Sequence, residues 1–422
     1  MNLERQKEIL TAVDIGTTKT NVIIAEIINK NNFKILGYGE APNTGIKKGI
    51  VESITKSAES LEIAIEKAEK QAGVDVEFVT LGVTGPEIRG INNTGVITIN
   101  SPNSDLLNEK EIRKLDINRV LEHTKAVTLP PDRRVLHILP QEFNVDDHKG
   151  IKDPLGMIGH RLEASVHLVT SDLRNEKNLQ TCLRNVGLEV KQFVLNPLAS
   201  AEAVLDHNEK NLGAAVVDIG GGTTDVIVYH NNGVRHTGIV PIGSNNITSD
   251  IAHGLQTTFE QAEELKKKYG CAKSALASDE KNIRVEGIGG RDGKLISQKD
   301  LTSLIEPRMV EILAMALNEI KKKEHSGFLT FGVILTGNGS LLANTSDLAM
   351  DVFQQPIKIA SPIKTGGFED KLGNPGCSSV IGLIQYEIEN KDIIKEEESF
   401  LGQLPKVGDV VDKIKNIFNN FL

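Results

Sequence analysis

The sequence predicts an α/β protein of two related domains that face one another, with a small inserted α/β domain and a C-terminal amphipathic helix. Three observations carry this expectation. The stretch ILTAVDIGTTKTNVIIAEIINKNN at residues 9–32 returns in kind as AAVVDIGGGTTDVIVYHNNG at residues 214–233. A helical pattern follows each copy, and between the copies lies a region of short strands and turn residues. The chain ends in VGDVVDKIKNIFNNFL, whose apolar residues recur at steps of three and four.

The elements follow in order. Ile9 to Asp14 reads as a buried strand and Ile15 to Thr18 as a turn. A second strand near Val22, Ile24 and Ile27 returns through Asn31 and Asn32, residues that tolerate positive φ. Ile54, Ala58, Leu61, Ile65 and Ala68 mark one helical face that stops at Gly73. The insert shows little helical period beyond residues 108–125. In the second copy, Ala214 to Asp218 leads into the turn, Val226 and Val228 lie on the next strand, and Asn231-Asn232-Gly233 forms the hairpin. LTSLIEPRMVEILAMALNEIKKK predicts another helix, with Pro307 in an early turn. After Gln385 the chain becomes polar and acidic, as in a flexible linker. The expected division is therefore a first domain at 1–83 and 166–192 and an insert at 84–165. A second domain covers 193–256 and 301–386, with a subdomain at 257–300. A linker at 387–406 and the amphipathic helix at 407–422 complete the chain.

A chain of 422 residues with 39% hydrophobic and 25% charged residues is long enough for several cores and ordinary for a globular protein. The net charge of −9 and the lack of a long basic run argue against nucleic acid as the main ligand. Lys321-Lys322-Lys323 is read as the solvated end of a helix. Cys182, Cys271 and Cys377 lack paired spacing, which suits a reducing compartment. The N-terminal MNLERQKEIL has no apolar core of a signal peptide, so a cytoplasmic protein is expected.

Glycine turns between strands aim several N–H groups into one small volume, and hydroxyls add further donors. Gly16-Thr17-Thr18-Lys19 predicts one such cradle, and Gly220-Gly221-Gly222-Thr223-Thr224 a second. Two cradles on facing domains would grip a triphosphate from both sides. Asp14 and Asp218 end the incoming strands, where a carboxylate near phosphate needs a cation; Mg²⁺ held largely through waters supplies it. A single such turn also fits a plain hairpin, but a repeat with the same flanks does not. In VILTGNGSLL, Gly337, Asn338 and Gly339 form a turn that a flat base can approach closely. Glu263 and Lys266 lie one helical turn apart, suited to a ribose and base or simply to an exposed ion pair.

This ordered set resembles the actin, sugar-kinase and heat-shock chaperone superfamily. Within it, RVLHILPQEF, GIKDPLGM, RLEASVHLVT, RHTGIVPIG, SDIAHGL and LIEPRMVEIL resemble segments of the FtsA family across nearly the whole chain. The resemblance implies an actin-like ATPase fold that takes ATP with Mg²⁺ and self-associates into filaments, here expected through the insert. It implies a tether that binds the C-terminal tail of the tubulin-like FtsZ, with other division proteins as further partners. The place is the inner face of the cytoplasmic membrane at the division site. Arg308 is nominated for the FtsZ-tail surface because IEPRMVEI resembles the neighbouring family segment. Val407, Val410, Val411, Ile414, Ile417, Phe418, Phe421 and Leu422 form the apolar face of the expected membrane-targeting helix. Asn196-Pro197 stands where faster superfamily members have Glu-Pro, so ATP turnover is expected to be slow. The alternatives are a pilus-assembly adaptor of the same kind, expected to lack the terminal stripe, and a sugar-kinase-type phosphotransferase, which needs a further acidic motif.

Overall fold

The computed structural model describes residues 8–29, 32–99, 111–287, 293–322 and 329–403. In the first domain, β1 (Ile9–Ile15), β2 (Lys19–Asn29) and β3 (Asn32–Pro42) form an antiparallel meander. The short hairpin of β4 (Ile46–Lys47) and β5 (Ile50–Val51) leads to α1 (Ile54–Ala72), and β6 (Phe78–Val83) then joins β1 in parallel. Ser53 caps α1 by accepting from the Lys56 N–H at 3.3 Å, and Gly73 ends it in the left-handed conformation. Ala58, Leu61, Ile65 and Ala68 are buried as their spacing predicts.

The chain then leaves for the insert: β7 (Arg89–Thr98), α2 (Lys114–Thr124), β8 (Arg133–Val145), β9 (His148–Ile151) and β10 (Arg161–Asp172). Its antiparallel sheet has the order β7-β10-β8-β9, around a core that includes Ile97, Val120, Phe143 and Leu162. The helix expected over 108–125 begins at Lys114 among the described residues. The boundary expected at 165 coincides with a register shift between Ser165 and Val166 inside β10. The strand does not end there. Leu168 still packs in the insert's core, while Val169 packs in that of the first domain. After α3 (Leu173–Arg184), β11 (Glu189–Leu195) returns to pair with β6.

α4 (Asn196–Val204) and α5 (His207–Leu212) lead into the second domain, where β12 (Ala214–Ile219), β13 (Thr224–His230) and β14 (Gly233–Val240) repeat the meander. There follow α6 (Ser244–Leu255), α7 (Phe259–Tyr269), β15 (Ile283–Val285), β16 (Lys294–Ile296) and α8 (Gln298–Lys321). β17 (Val333–Thr336), α9 (Thr345–Phe353), β18 (Ile357–Ile359), α10 (Glu369–Leu372) and α11 (Ser378–Gln403) complete the described elements. The two large sheets share one plan: β3-β2-β1-β6-β11 matches β14-β13-β12-β17-β18, with the last two strands of each joined in parallel. The repeat visible in the sequence as one hairpin thus extends over a whole sheet.

Two expectations about helices are corrected. Ser297, in a capping box with Asp300, starts α8 upstream of the predicted pattern, so Pro307 lies in the helix interior and not in an early turn. The stretch expected to open a flexible linker at 387 continues α11 to Gln403. Its Glu and Lys residues favour helix, and neither Gly nor Pro interrupts it before Gly402. Glu387 and Ile388 are buried within the body.

Candidate functional site

Each cradle is built by the same local bond. The Gly16 N–H donates to the Lys19 carbonyl at 2.9 Å, and the Gly220 N–H to that of Thr223 at 2.9 Å. The turns then meet face to face. A Cβ on Gly221 would lie 2.6 Å from Thr18 Cγ2, and one on Gly222 would lie 2.5 Å from Thr17 Oγ1. Glycine is required here by close approach. Both turns open on one cleft of about 750 Å³ between the domains.

Fifteen of the sixteen cradle and base-side candidates line this cleft: Asp14, Gly16, Thr17, Thr18, Lys19, Asp218, Gly220, Gly221, Gly222, Thr223, Glu263, Lys266, Gly337, Asn338 and Gly339. Thr224 does not, and its assignment is corrected. As the first residue of β13 it is fully buried, and its hydroxyl donates to the Ile242 carbonyl at 2.9 Å. The register explains why: Thr224 pairs with Ile219 as Thr20 pairs with Ile15, so the cradle proper ends at Thr223, the counterpart of Lys19. Lys19 is engaged by Glu40, with Nζ 2.6 Å from Oε2.

Glu263 and Lys266 form an ion pair at 2.7 Å, and the buried Lys266 also reaches the Thr248 hydroxyl and the Ser244 carbonyl. The pair is therefore built into the wall of the cleft. The Gly-Asn-Gly turn has a second use. A Cβ at Gly337 would strike Asp218 Oδ1, and one at Gly339 would strike Ile219 Cγ2. Glycine there lets the turn pack on the end of β12, a demand separate from any approach to a base.

The floor of the cleft carries three carboxylates, Asp225 buried and Asp14 and Asp218 half-buried. Burial pushes Asp14 up to about 6; a hydrogen bond from Asn196 Nδ2 at 3.0 Å opposes this, while the charge of Asp218 adds to it. Burial also raises Asp218, against the hydroxyls of Ser200 at 2.6 Å and Ser379 at 3.2 Å. Asp225 is pushed up to about 8 by burial and then by Asp218; its Oδ1 accepts from Thr84 at 2.9 Å. Asp225, Thr84 and Ser379 were not expected from the sequence; Asn196 was placed near the reaction only by the family resemblance, and its bond to Asp14 was not foreseen. Asp225 had a signal, since it closes the same DIGGGTTD stretch that supplies the cradle. Ser379 and Thr84 reach the cleft only through the tertiary fold.

These residues fit a hydrated cation. Among the described residues no group of three or more His, Cys, Asp or Glu side chains can hold a metal directly. Asp14 and Asp218 nevertheless share one buried cleft, and Asn196 Oδ1 is buried there without a partner. That donor set suits Mg²⁺, which keeps several waters and takes one or two carboxylates together with phosphate oxygens.

Arg308 lies away from the cleft, on α8, where Nε is 2.7 Å from Asp250 Oδ2 and Nη1 pairs with Glu311. The expected membrane residues Val407, Val410, Val411, Ile414, Ile417, Phe418, Phe421 and Leu422 lie outside the described residues. Among those described, no helix is long and apolar enough to cross a membrane.

Comparison with known proteins matches residues 215–382 to the family model "Cell division protein FtsA" and residues 85–170 to "SHS2 domain inserted in FTSA". The cell division protein FtsA of Pseudomonas aeruginosa is 35% identical over 384 residues, covering 91% of this chain and 90% of its own. Among solved structures, the PilM-PilN type IV pilus biogenesis complex superposes with a TM-score of 0.61 at 14% identity, over 90% of this chain and 98% of that one. MreB5 of Spiroplasma citri bound to ADP does so at 0.55 and 15% identity, over 93% and 98%. The two structural likenesses establish an actin-like fold; the family rests on the sequence matches.

Proposed function

The chain belongs to the FtsA family of cell-division proteins, and from that premise we propose that it binds Mg²⁺-ATP in the cleft, self-associates, and tethers FtsZ filaments to the cytoplasmic membrane at the division site. The observation that carries the nucleotide reading is the pair of equivalent turns closing on one cleft, with Thr17 and Thr18 against Gly222 and Gly221. An actin-like neighbour with ADP bound supports it. Asp14 and Asp218 would hold the hydrated Mg²⁺, which supplies the positive charge that these two carboxylates and a triphosphate need. The base side would fall to Glu263, Lys266 and the Gly337–Gly339 turn.

Turnover should be slow, below about one per second, because Asn196 cannot accept a proton where a general base would act. ATP then serves mainly as a switching ligand that favours the closed cleft. Self-association is assigned to the insert, whose sheet ends in the edge strand β9. The face around Arg308 is assigned to the FtsZ tail and residues 407–422 to the membrane surface.

Vesicle sedimentation tests the whole reading. With ATP and lipid vesicles, the protein should carry full-length FtsZ into the pellet and leave tail-deleted FtsZ in solution. Equal pelleting of both forms would sink the tether.

A further inference from the structure

His137 sits where three parts of the chain meet. It lies on β8 of the insert and is buried, with Nε2 3.0 Å from the Leu195 backbone nitrogen and Nδ1 3.4 Å from the Tyr386 hydroxyl. Leu195 ends β11 and caps α4. The next residue, Asn196, donates from Nδ2 to Asp14 on the cleft floor at 3.0 Å. Tyr386 belongs to α11, and its ring meets the imidazole edge-on at 5.7 Å between centroids.

The chemistry of these contacts fixes the state of the ring. A backbone N–H only donates, so Nε2 must offer its lone pair and the ring proton must sit on Nδ1, facing Tyr386. Burial, together with the nearby Arg134 charge, pushes the imidazole down to about 3, which keeps it neutral at physiological pH. Leu195 has no side-chain cap to offer α4, so the imidazole nitrogen fixes the Val194–Leu195 peptide, one residue before Asn196. The insert also reaches the cleft from a second side, where Thr84 holds Asp225.

We propose that His137 is a positioning residue that aims Asn196 at Asp14 by holding the Leu195 N–H, and so couples the insert and α11 to the cleft floor. The effect on nucleotide rests on the ATP reading above; the positioning of Asn196 does not.

The test uses the full chain, selectively ¹⁵N-labelled at Asn and His. His137→Phe keeps a ring but removes the acceptor, and His137→Gln restores an acceptor near the Nε2 position. In nucleotide-free protein, His137→Phe should move the Asn196 side-chain amide resonances toward those of a free Asn, and His137→Gln should return them. With Mg²⁺-ATP, the single-turnover cleavage rate should fall about tenfold in the Phe variant, with apparent affinity within about twofold, and recover in the Gln variant. A Phe variant that melts like the wild type and keeps both the Asn196 resonances and the cleavage rate overturns the proposal. Should the Phe variant not fold, the wild-type ring decides: Nδ1 protonation is required, and an Nε2-protonated ring overturns it. If the wild type binds no ATP, the nucleotide reading fails while the Asn196 resonances still decide the positioning.

Discussion

Asp218 and Asp225 face each other directly across β12 and β13, in the register that sets Asp14 opposite Asn21 in the other half of the molecule. Asp225 is buried, which alone disfavours its charged form, and the like charge of Asp218 across the strands repels it further. Asp225 therefore keeps its proton up to about pH 8 in the folded chain, whereas an unfolded aspartate loses it near 4. Between those values the native state binds more protons than the unfolded state, so stability falls as pH rises and levels off above about 8. Asp14, at about 6, adds to the fall in the lower part of that window. Asp225→Asn keeps an acceptor for Thr84 and removes one source of the slope. Melting curves in chelator without nucleotide should be flatter for the variant between pH 6 and 8; curves parallel to the wild type would refute the assignment.

The contact between the two turns gives a second prediction. ATP that binds only the folded chain adds roughly 3 kcal/mol at a hundredfold excess over its dissociation constant. Gly221→Val places methyl groups where Thr18 Cγ2 already stands 2.6 Å from the Cβ position, and so wedges the cradles apart. The variant should lose most of the Mg²⁺-ATP-induced rise in melting temperature. A full wild-type rise would show that the turns do not act together.

Much of this site was legible because both cradles are local: an acid, a glycine turn and hydroxyls within a few residues. Asp225 was missed although it stands beside that run, because its place opposite Asp218 depends on strand register, which the hairpin pattern alone does not reveal. Thr84 comes from a domain junction and Asn196, which only the family resemblance had placed near the reaction, from a helix start; the packing of β6, β11 and the insert brings both to the floor. Thr224 misled for the opposite reason. Its hydroxyl looks like another cradle donor, yet strand alternation turns it to Ile242. The polar run after Gln385 was read as a linker by composition, but the same Glu and Lys residues are good helix formers when a buried face precedes them.

That face yields the third prediction. Glu387 on α11 is buried between Thr80 of β6 and Lys191 of β11, with Lys191 Nζ 2.8 Å from Oε1 and the Thr80 hydroxyl 2.5 Å from Oε2. Lys191→Met leaves that carboxylate without its counter-charge, which typically costs about 3–5 kcal/mol; partial exposure of Lys191 puts the expected loss at the lower end. Adding Glu387→Gln should recover much of it, since an amide needs no counter-ion. Urea unfolding of the single and double variants gives the difference. A Lys191→Met variant as stable as the wild type would mean that α11 is not fixed to the first sheet at this point.

The fourth prediction concerns residues 407–422. As a helix the stretch would be about 24 Å long at 1.5 Å per residue and one-sided, suited to lying in the membrane interface and too polar on its other face to span. Asp409, Asp412, Lys413 and Lys415 cancel in charge, so insertion of apolar side chains must dominate over attraction to anionic lipid. Each fully buried Val, Leu, Ile or Phe contributes roughly 1.5–3 kcal/mol, but partial insertion and the ordering of the segment offset much of that. One copy should therefore bind vesicles weakly and reversibly. Copies joined in a filament should bind together, because each later contact is intramolecular and gains on the order of 10² to 10⁴ in avidity. Ile414→Asp or Phe418→Asp places a charge in the middle of the apolar face and should abolish vesicle flotation while leaving the ATP-induced melting shift intact. If either variant still floats with liposomes as the wild type does, while its self-association is unchanged, the anchor lies elsewhere in the chain.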